Sequence, residues 1–76
     1  MDAEVVKMLA VGIVGSIGLL GPALALGLIG YAALTGIARN PEARGPIFTN
    51  MILVAGLTEA VGIYALIIAI ILTMVA

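Results

Sequence analysis

From residue 8 to residue 38 the chain carries no charged side chain, and from Ile47 to the C-terminus Glu59 is the only one. A helix that crosses the hydrocarbon core of a bilayer needs about 20 predominantly apolar residues. Both stretches exceed that length. Of the 76 residues, 64% are hydrophobic and 9% charged. Small domains bury the smallest fraction of their surface, so a chain this apolar has to take lipid as its solvent.

The same composition removes several functions. The net charge of −1 with no basic cluster leaves nothing to hold a phosphate backbone, so no nucleic-acid partner is expected. With no cysteine there is no disulfide, thiolate metal site or cysteine nucleophile. Histidine, the commonest metal ligand and general base, is also absent. No metal site and no cofactor are therefore expected. The first apolar stretch far exceeds the about 7–15 residues of a cleaved signal segment, and Asp2 and Glu4 precede it, so it is expected to stay in the mature protein.

The pattern predicts an all-α membrane protein: a single two-helix transmembrane hairpin over residues 1–76. Helix 1 is expected over about 5–38, a cytoplasmic loop over 39–46 and helix 2 over about 47–75. Pro41 lacks an N–H and disfavours helix at Asn40, whereas Pro46 suits the first turn of the second helix. So short a linker joins antiparallel neighbours. Two of the three basic residues, Arg39 and Arg44, lie in the loop, which points the loop to the cytoplasm and both termini outside.

Helix 1 is crowded with small residues, several of them four apart: Gly12/Ser16, Gly21/Ala25, Ala23/Gly27 and Ala32/Gly36. In lipid, helices associate through close backbone approach, which small residues permit. Helix 2 has only Gly56 and Gly62 over a comparable length. The contrast predicts that helix 1 packs among copies of itself while helix 2 faces lipid, which requires a homo-oligomer. Pro22 lies mid-helix and is expected to bend helix 1, either as a tolerated kink or with a role.

Glu59 follows Ile47 by twelve residues, about 18 Å along helix 2, which places it near the bilayer centre. A charged carboxylate there costs about 3 kcal/mol on insertion scales. One reading is a neutral acid acting as hydrogen-bonded glue between helices, although glutamine or serine would serve that purpose without ionising. The other is a proton carrier, kept neutral by desolvation and released where water or a fixed cation favours the ionised form. This chain has no permanent cation at that depth, so a second subunit has to supply one. Folding the chain about Glu42 places Ala25 and Leu26 opposite Glu59, and neither can bind a metal cation. Thr58 and Tyr64 offer hydroxyls, too few for the oxygen shell of a hard cation. The transported ion is therefore read as H⁺ rather than Na⁺. Tyr64 either steadies the carboxyl or is an ordinary interfacial ring.

These residues also carry a resemblance. The run Gly21-Pro22-Ala23-Leu24-Ala25-Leu26-Gly27, the loop Arg39-Asn40-Pro41-Glu42, Glu59 within Gly56-Leu57-Thr58-Glu59-Ala60, and the hairpin length together resemble the c-subunit of F-type ATP synthases, the rotor-ring proteolipid, over essentially the whole chain. The resemblance implies a ring of identical hairpins, helix 1 inside and helix 2 outside, packed through Gly21, Ala23, Ala25 and Gly27. Glu59 would bind the proton and exchange it at the interface with the a-subunit, whose arginine supplies the missing cation. Rotation would then drive ATP synthesis elsewhere in the complex, so this chain is not itself an enzyme. Leu26, Thr58, Ala60 and Tyr64 would neighbour the proton site. Arg39, Asn40 and Pro41 would dock against the central stalk subunits gamma and epsilon. The implied location is a bacterial inner membrane or, alternatively, an organellar energy-transducing membrane.

The chain also departs from the family pattern. The family's first helix usually reads Gly-x-Gly-x-Gly-x-Gly, and here the inner two are Ala23 and Ala25, whose methyls hold inner helices slightly apart and hint at a wider ring. Sodium-binding members have a glutamine at the Leu26 position and a serine after the carboxylate, where this chain has Ala60. Both departures agree with a proton. The length excludes the duplicated four-helix proteolipid of vacuolar-type enzymes. A small multidrug exporter would need about four spans and aromatic residues to stack on its cation, but this chain has three aromatics, Tyr31, Phe48 and Tyr64. A pore-forming peptide such as a holin would need no glutamate at mid-depth.

Overall fold

The computed structural model describes residues 2–75. The chain forms two antiparallel helices, α1 (Ala3–Arg39) and α2 (Arg44–Val75), joined through a 3₁₀ turn over Pro41–Ala43. Asp2 starts α1: its Oδ1 accepts the Val5 N–H at 2.9 Å, satisfying one of the donors that a helix start leaves free. Asn40 ends it in a non-helical conformation (φ −141°, ψ 82°), with its N–H still donating to the Gly36 carbonyl.

Both helices are longer than the sequence suggested, and the expected 39–46 loop is largely helical. The physical reason lies at Pro41. Its fixed φ opens a 3₁₀ turn, in which the Ala43 N–H donates to Asn40 and that of Arg44 to Pro41. The backbone then runs into α2 without a break, and Asn40 is the one non-helical residue between the helices. Pro46 falls in the first turn of α2, where its missing N–H costs nothing.

The hairpin is a rod 59 Å long. Its seam follows a three-and-four spacing on both helices, as expected when two helices meet along one face each. On α1 the least exposed positions include Val11, Val14, Gly18, Pro22, Ala25, Ile29, Ala33 and Gly36. On α2 they include Ile47, Met51, Ala55, Thr58, Gly62, Ala65, Ala69 and Leu72. Direct approaches fix the register: a β-carbon at Gly18 would lie 3.4 Å from Ala65, one at Gly62 3.7 Å from Pro22, and one at Gly36 3.2 Å from Ile47. Each pair sums to 83 or 84, so the hairpin folds about Glu42, in agreement with the sequence reading.

Among the described residues only Ala33 and Ala69 are buried, at 7% and 8% exposure, while side chains such as Leu28, Leu34, Leu53 and Leu57 stand open. Burying an aliphatic side chain is worth about 1.5–3 kcal/mol. Exposing this many to water would cost tens of kcal/mol, against the about 5–15 kcal/mol that holds a domain folded. The best 18-residue windows of both helices have mean hydropathies of 2.1 and 2.2 and almost no internal burial. The hairpin is a membrane protein. Lys7 and Arg39 are 32 residues apart on α1, about 48 Å along the axis, close to the about 40–45 Å of a bilayer with its headgroups.

Because the two alanines are already buried between the helices, a larger side chain there has little space. Ala69→Leu is expected to cost about 1–3 kcal/mol through overpacking. Thermal unfolding in detergent followed by circular dichroism would show a lower midpoint, and an unchanged one would contradict the seam.

Candidate ion-carrying site

Glu59 is fifteen residues after Arg44 and sixteen before Val75, hence about 22–24 Å from either end of α2. No charged side chain shares that depth. Among the described residues the one ion pair is Lys7 with Glu4, 3.9 Å apart at the far end of α1, and none of the side-chain hydrogen bonds involves Glu59. The carboxyl is exposed on the flank of the hairpin. In hydrocarbon a charged group so placed is costly unless a partner group or water reaches it.

Two shallow grooves flank the seam at this height. The first runs from Glu59 toward the chain termini, lined on α2 by Gly62, Ile63 and Leu66 and on α1 by Leu19, Pro22, Ala23 and Leu26. Leu26 and Ala23 therefore share the Glu59 groove. The second is lined by Gly21, Pro22, Ala25, Thr58 and Val61. Thr58 thus lies on the flank opposite the carboxyl it precedes, and its hydroxyl donates to the Val54 carbonyl at 2.9 Å. Tyr64 lines neither groove and is 63% exposed. Five residues along a helix is a rotation of about 140°, so Tyr64 does not meet its own Glu59. Ala60 is half-buried and also lines neither.

The four small residues expected to pack a ring divide between the flanks. Gly21 and Ala25 line the Thr58 groove, Ala23 lines the Glu59 groove, and Gly27 has open space around it. A step of two residues rotates about 200°, so alternate small residues serve opposite sides of α1. Arg39, Asn40 and Pro41 are exposed at the end of the rod where the chain reverses. Leu19, Pro22, Gly62, Ile63 and Leu66 were not singled out as site residues from the sequence. For the α2 members the signal was present: they stand three, four and seven residues after Glu59, on its own face. Among the described residues no cluster of three or more acidic, histidine or cysteine side chains gathers for a metal.

A hairpin of two membrane-length helices with one carboxyl at mid-depth defines a small ion-handling membrane proteolipid. Comparison with known proteins narrows the class. Residues 9–72 match the family model of the ATP synthase C-subunit. An ATP synthase c-subunit from Dehalococcoides mccartyi is 49% identical over 76 residues, covering all of both chains. The one from Petrotoga mobilis is 41% identical over 91% of this chain and 72% of its own. A mitochondrial ATP synthase subunit 9 from Mycosarcoma maydis is 39% identical over 78% of this chain and 81% of its own. The chain belongs to the ATP synthase C-subunit family.

The division of the flanks makes a specific prediction for Thr58. Thr58→Val removes a hydroxyl whose proton already goes to the chain's own backbone, with a net cost of about 1 kcal/mol at most. Carbodiimide modification of Glu59 in the variant is expected at the native rate. A several-fold change would place Thr58 at the carboxyl after all.

Proposed function

We propose that this chain is the proton-carrying rotor-ring component of the membrane sector of an F-type ATP synthase, with Glu59 as its reversibly protonated group. One observation carries the reading: Glu59 lies at the middle of α2, on an apolar flank, with no charge at its own depth. A carboxyl so placed holds a proton while it faces lipid and gives it up where a neighbouring subunit offers a cation or water. The chain itself is non-catalytic, and the transported ion is H⁺.

Small residues on both flanks of α1 support the ring, because a helix inside a ring has a neighbour on each side. Gly21 and Ala25 let one neighbour approach, Ala23 and Gly27 the other. The two flanks differ, one bearing Glu59 and the other Thr58, so contact between copies is head-to-tail, the type that closes into rings. The Glu59 flank of each copy then meets the other flank of the next, and Tyr64 reaches a carboxyl only across that boundary. Exchange takes place at the a-subunit, whose arginine supplies the cation. Arg39, Asn40 and Pro41 form the end that docks on the gamma and epsilon stalk subunits, with the loop cytoplasmic and the termini outside. One charge crossing 100 mV releases about 2.3 kcal/mol, so several Glu59 sites discharge for each ATP made.

The apolar walls of the groove favour H⁺ over Na⁺. Leu19, Leu26, Ile63 and Leu66 have no oxygen to offer, whereas a hard cation requires several oxygen ligands. A hydrophobic carbodiimide reacts with the protonated carboxyl, so Glu59 is expected to be modified slowly at acidic pH, with the rate fading as pH rises and no protection by Na⁺. Protection by millimolar Na⁺ would overturn the ion assignment. Glu59→Gln is expected to abolish proton-driven rotation and to leave the oligomer assembled, as read by the mass of the intact complex. Loss of assembly would favour a structural role for the carboxyl.

A further inference from the structure

Of the three basic side chains, Lys7 alone lies at the terminal end of the rod, and it is not placed like a surface lysine. Its side chain is 22% exposed, whereas that of Glu4, one turn earlier on the same helix, is 77% exposed. Its position explains the difference. Lys7 precedes Val11 by four residues and Val14 by seven, so it continues the half-buried row of α1 that faces α2. The register that sets Gly18 against Ala65 also sets Val11 against Leu72. Carried one turn further, it brings Lys7 to the level where α2 ends at Val75.

The charge fits that level for one helix and not for the other. A helix start carries partial positive charge and favours acids, while a helix end carries partial negative charge and favours cations. Asp2 and Glu4 suit the start of α1, and Asp2 caps it. Lys7, in the second turn of α1, is at the wrong end of its own helix. It is at the right end of α2, which runs antiparallel. The last four carbonyls of a helix have no intrahelical donor. Those of α2 have no cation from their own helix either, because its last turn is without a basic residue. A lysine stem can lie along an apolar seam while its ammonium stays at the polar level, and here the ammonium is 3.9 Å from Glu4 Oε1. We infer that Lys7 is an electrostatic clasp for the open end of the hairpin: held on the seam of α1, it offsets the C-terminal dipole of α2 and keeps the last turn of that helix closed. The chain reversal joins the helices at the other end, and nothing covalent does so here. The clasp does not depend on Glu59 carrying a proton.

The test uses the assembled complex in lipid nanodiscs and three variants: Lys7→Met keeps the stem and removes the charge, Lys7→Glu reverses the charge, and Lys7→Arg retains it. Amide hydrogen exchange is read at Thr73, Met74 and Val75, with Leu53, Val54 and Ala55 as the internal reference. Exchange in the last turn is expected to quicken about two- to fivefold in Lys7→Met and further in Lys7→Glu. It should stay native in Lys7→Arg, and the reference should not move in any variant. Raising the ionic strength should quicken exchange of the last turn in the native protein and leave Lys7→Met unchanged. Native exchange in both the methionine and glutamate variants would overturn the clasp. So would an equal loss of protection in Lys7→Arg, since shape and not charge would then hold the end. Where a variant does not assemble, the native protein decides, because a last turn indifferent to salt contradicts an electrostatic clasp.

Discussion

Everything in this hairpin is arranged around one ionisable carboxyl kept far from both charged ends of a greasy rod. The remaining charges, from Asp2 to Lys7 and from Arg39 to Arg44, lie at the extremities, where they can reach headgroups and water. Glu59 has no such outlet, being about 22 Å or more from either end of its helix. Its ionisation has to be made possible by something outside the chain. In the proposed role that dependence makes the carboxyl a coupling device, because it would change charge only where a partner is, and a ring would carry it between such places.

The seam serves this arrangement by keeping α1 and α2 close without using polar glue. Compact residues meet at Gly18/Ala65 and Pro22/Gly62, and hydroxyls nearby satisfy themselves on their own backbone, as Ser16 does on Gly12 at 2.6 Å and Thr58 on Val54. With those groups self-contained, none would compete for a proton in the proposed carrier role of Glu59. A carrier surrounded by free hydroxyls or amides would share its proton with them and would gain ligands for a metal cation. The apolar groove prevents both outcomes.

Much of this was legible in the sequence. The uncharged runs fixed both spans, and the proline pair fixed the reversal about Glu42 closely enough to place Leu26 at the level of Glu59. The loop was less legible. Pro41 read as a breaker, yet it opens a 3₁₀ turn that leads into the second helix, and Pro46 stands in the first turn of that helix as its missing N–H suggested. The sequence also could not show which flank each residue takes. Thr58 is adjacent to Glu59 in the chain and stands on the other flank, because one residue along a helix turns the side chain by about 100°. The alternating small residues of α1 mislead in the same way: as a run they suggest one smooth face, whereas their two-residue spacing spreads them over two.

That spread bears on why the methyls of Ala23 and Ala25 are tolerated where glycine is usual in this family. The two methyls lie on opposite flanks, Ala23 beside Glu59 and Ala25 beside Thr58, so in the proposed head-to-tail ring each boundary between copies would receive both, one from each partner. Added bulk on both sides of a boundary pushes neighbouring inner helices apart evenly and does not tilt them. An even increase in spacing at every boundary lowers the angle each copy turns through, so more copies are needed to close the circle. The number of protons carried per turn would then follow from two methyl groups that never touch the proton.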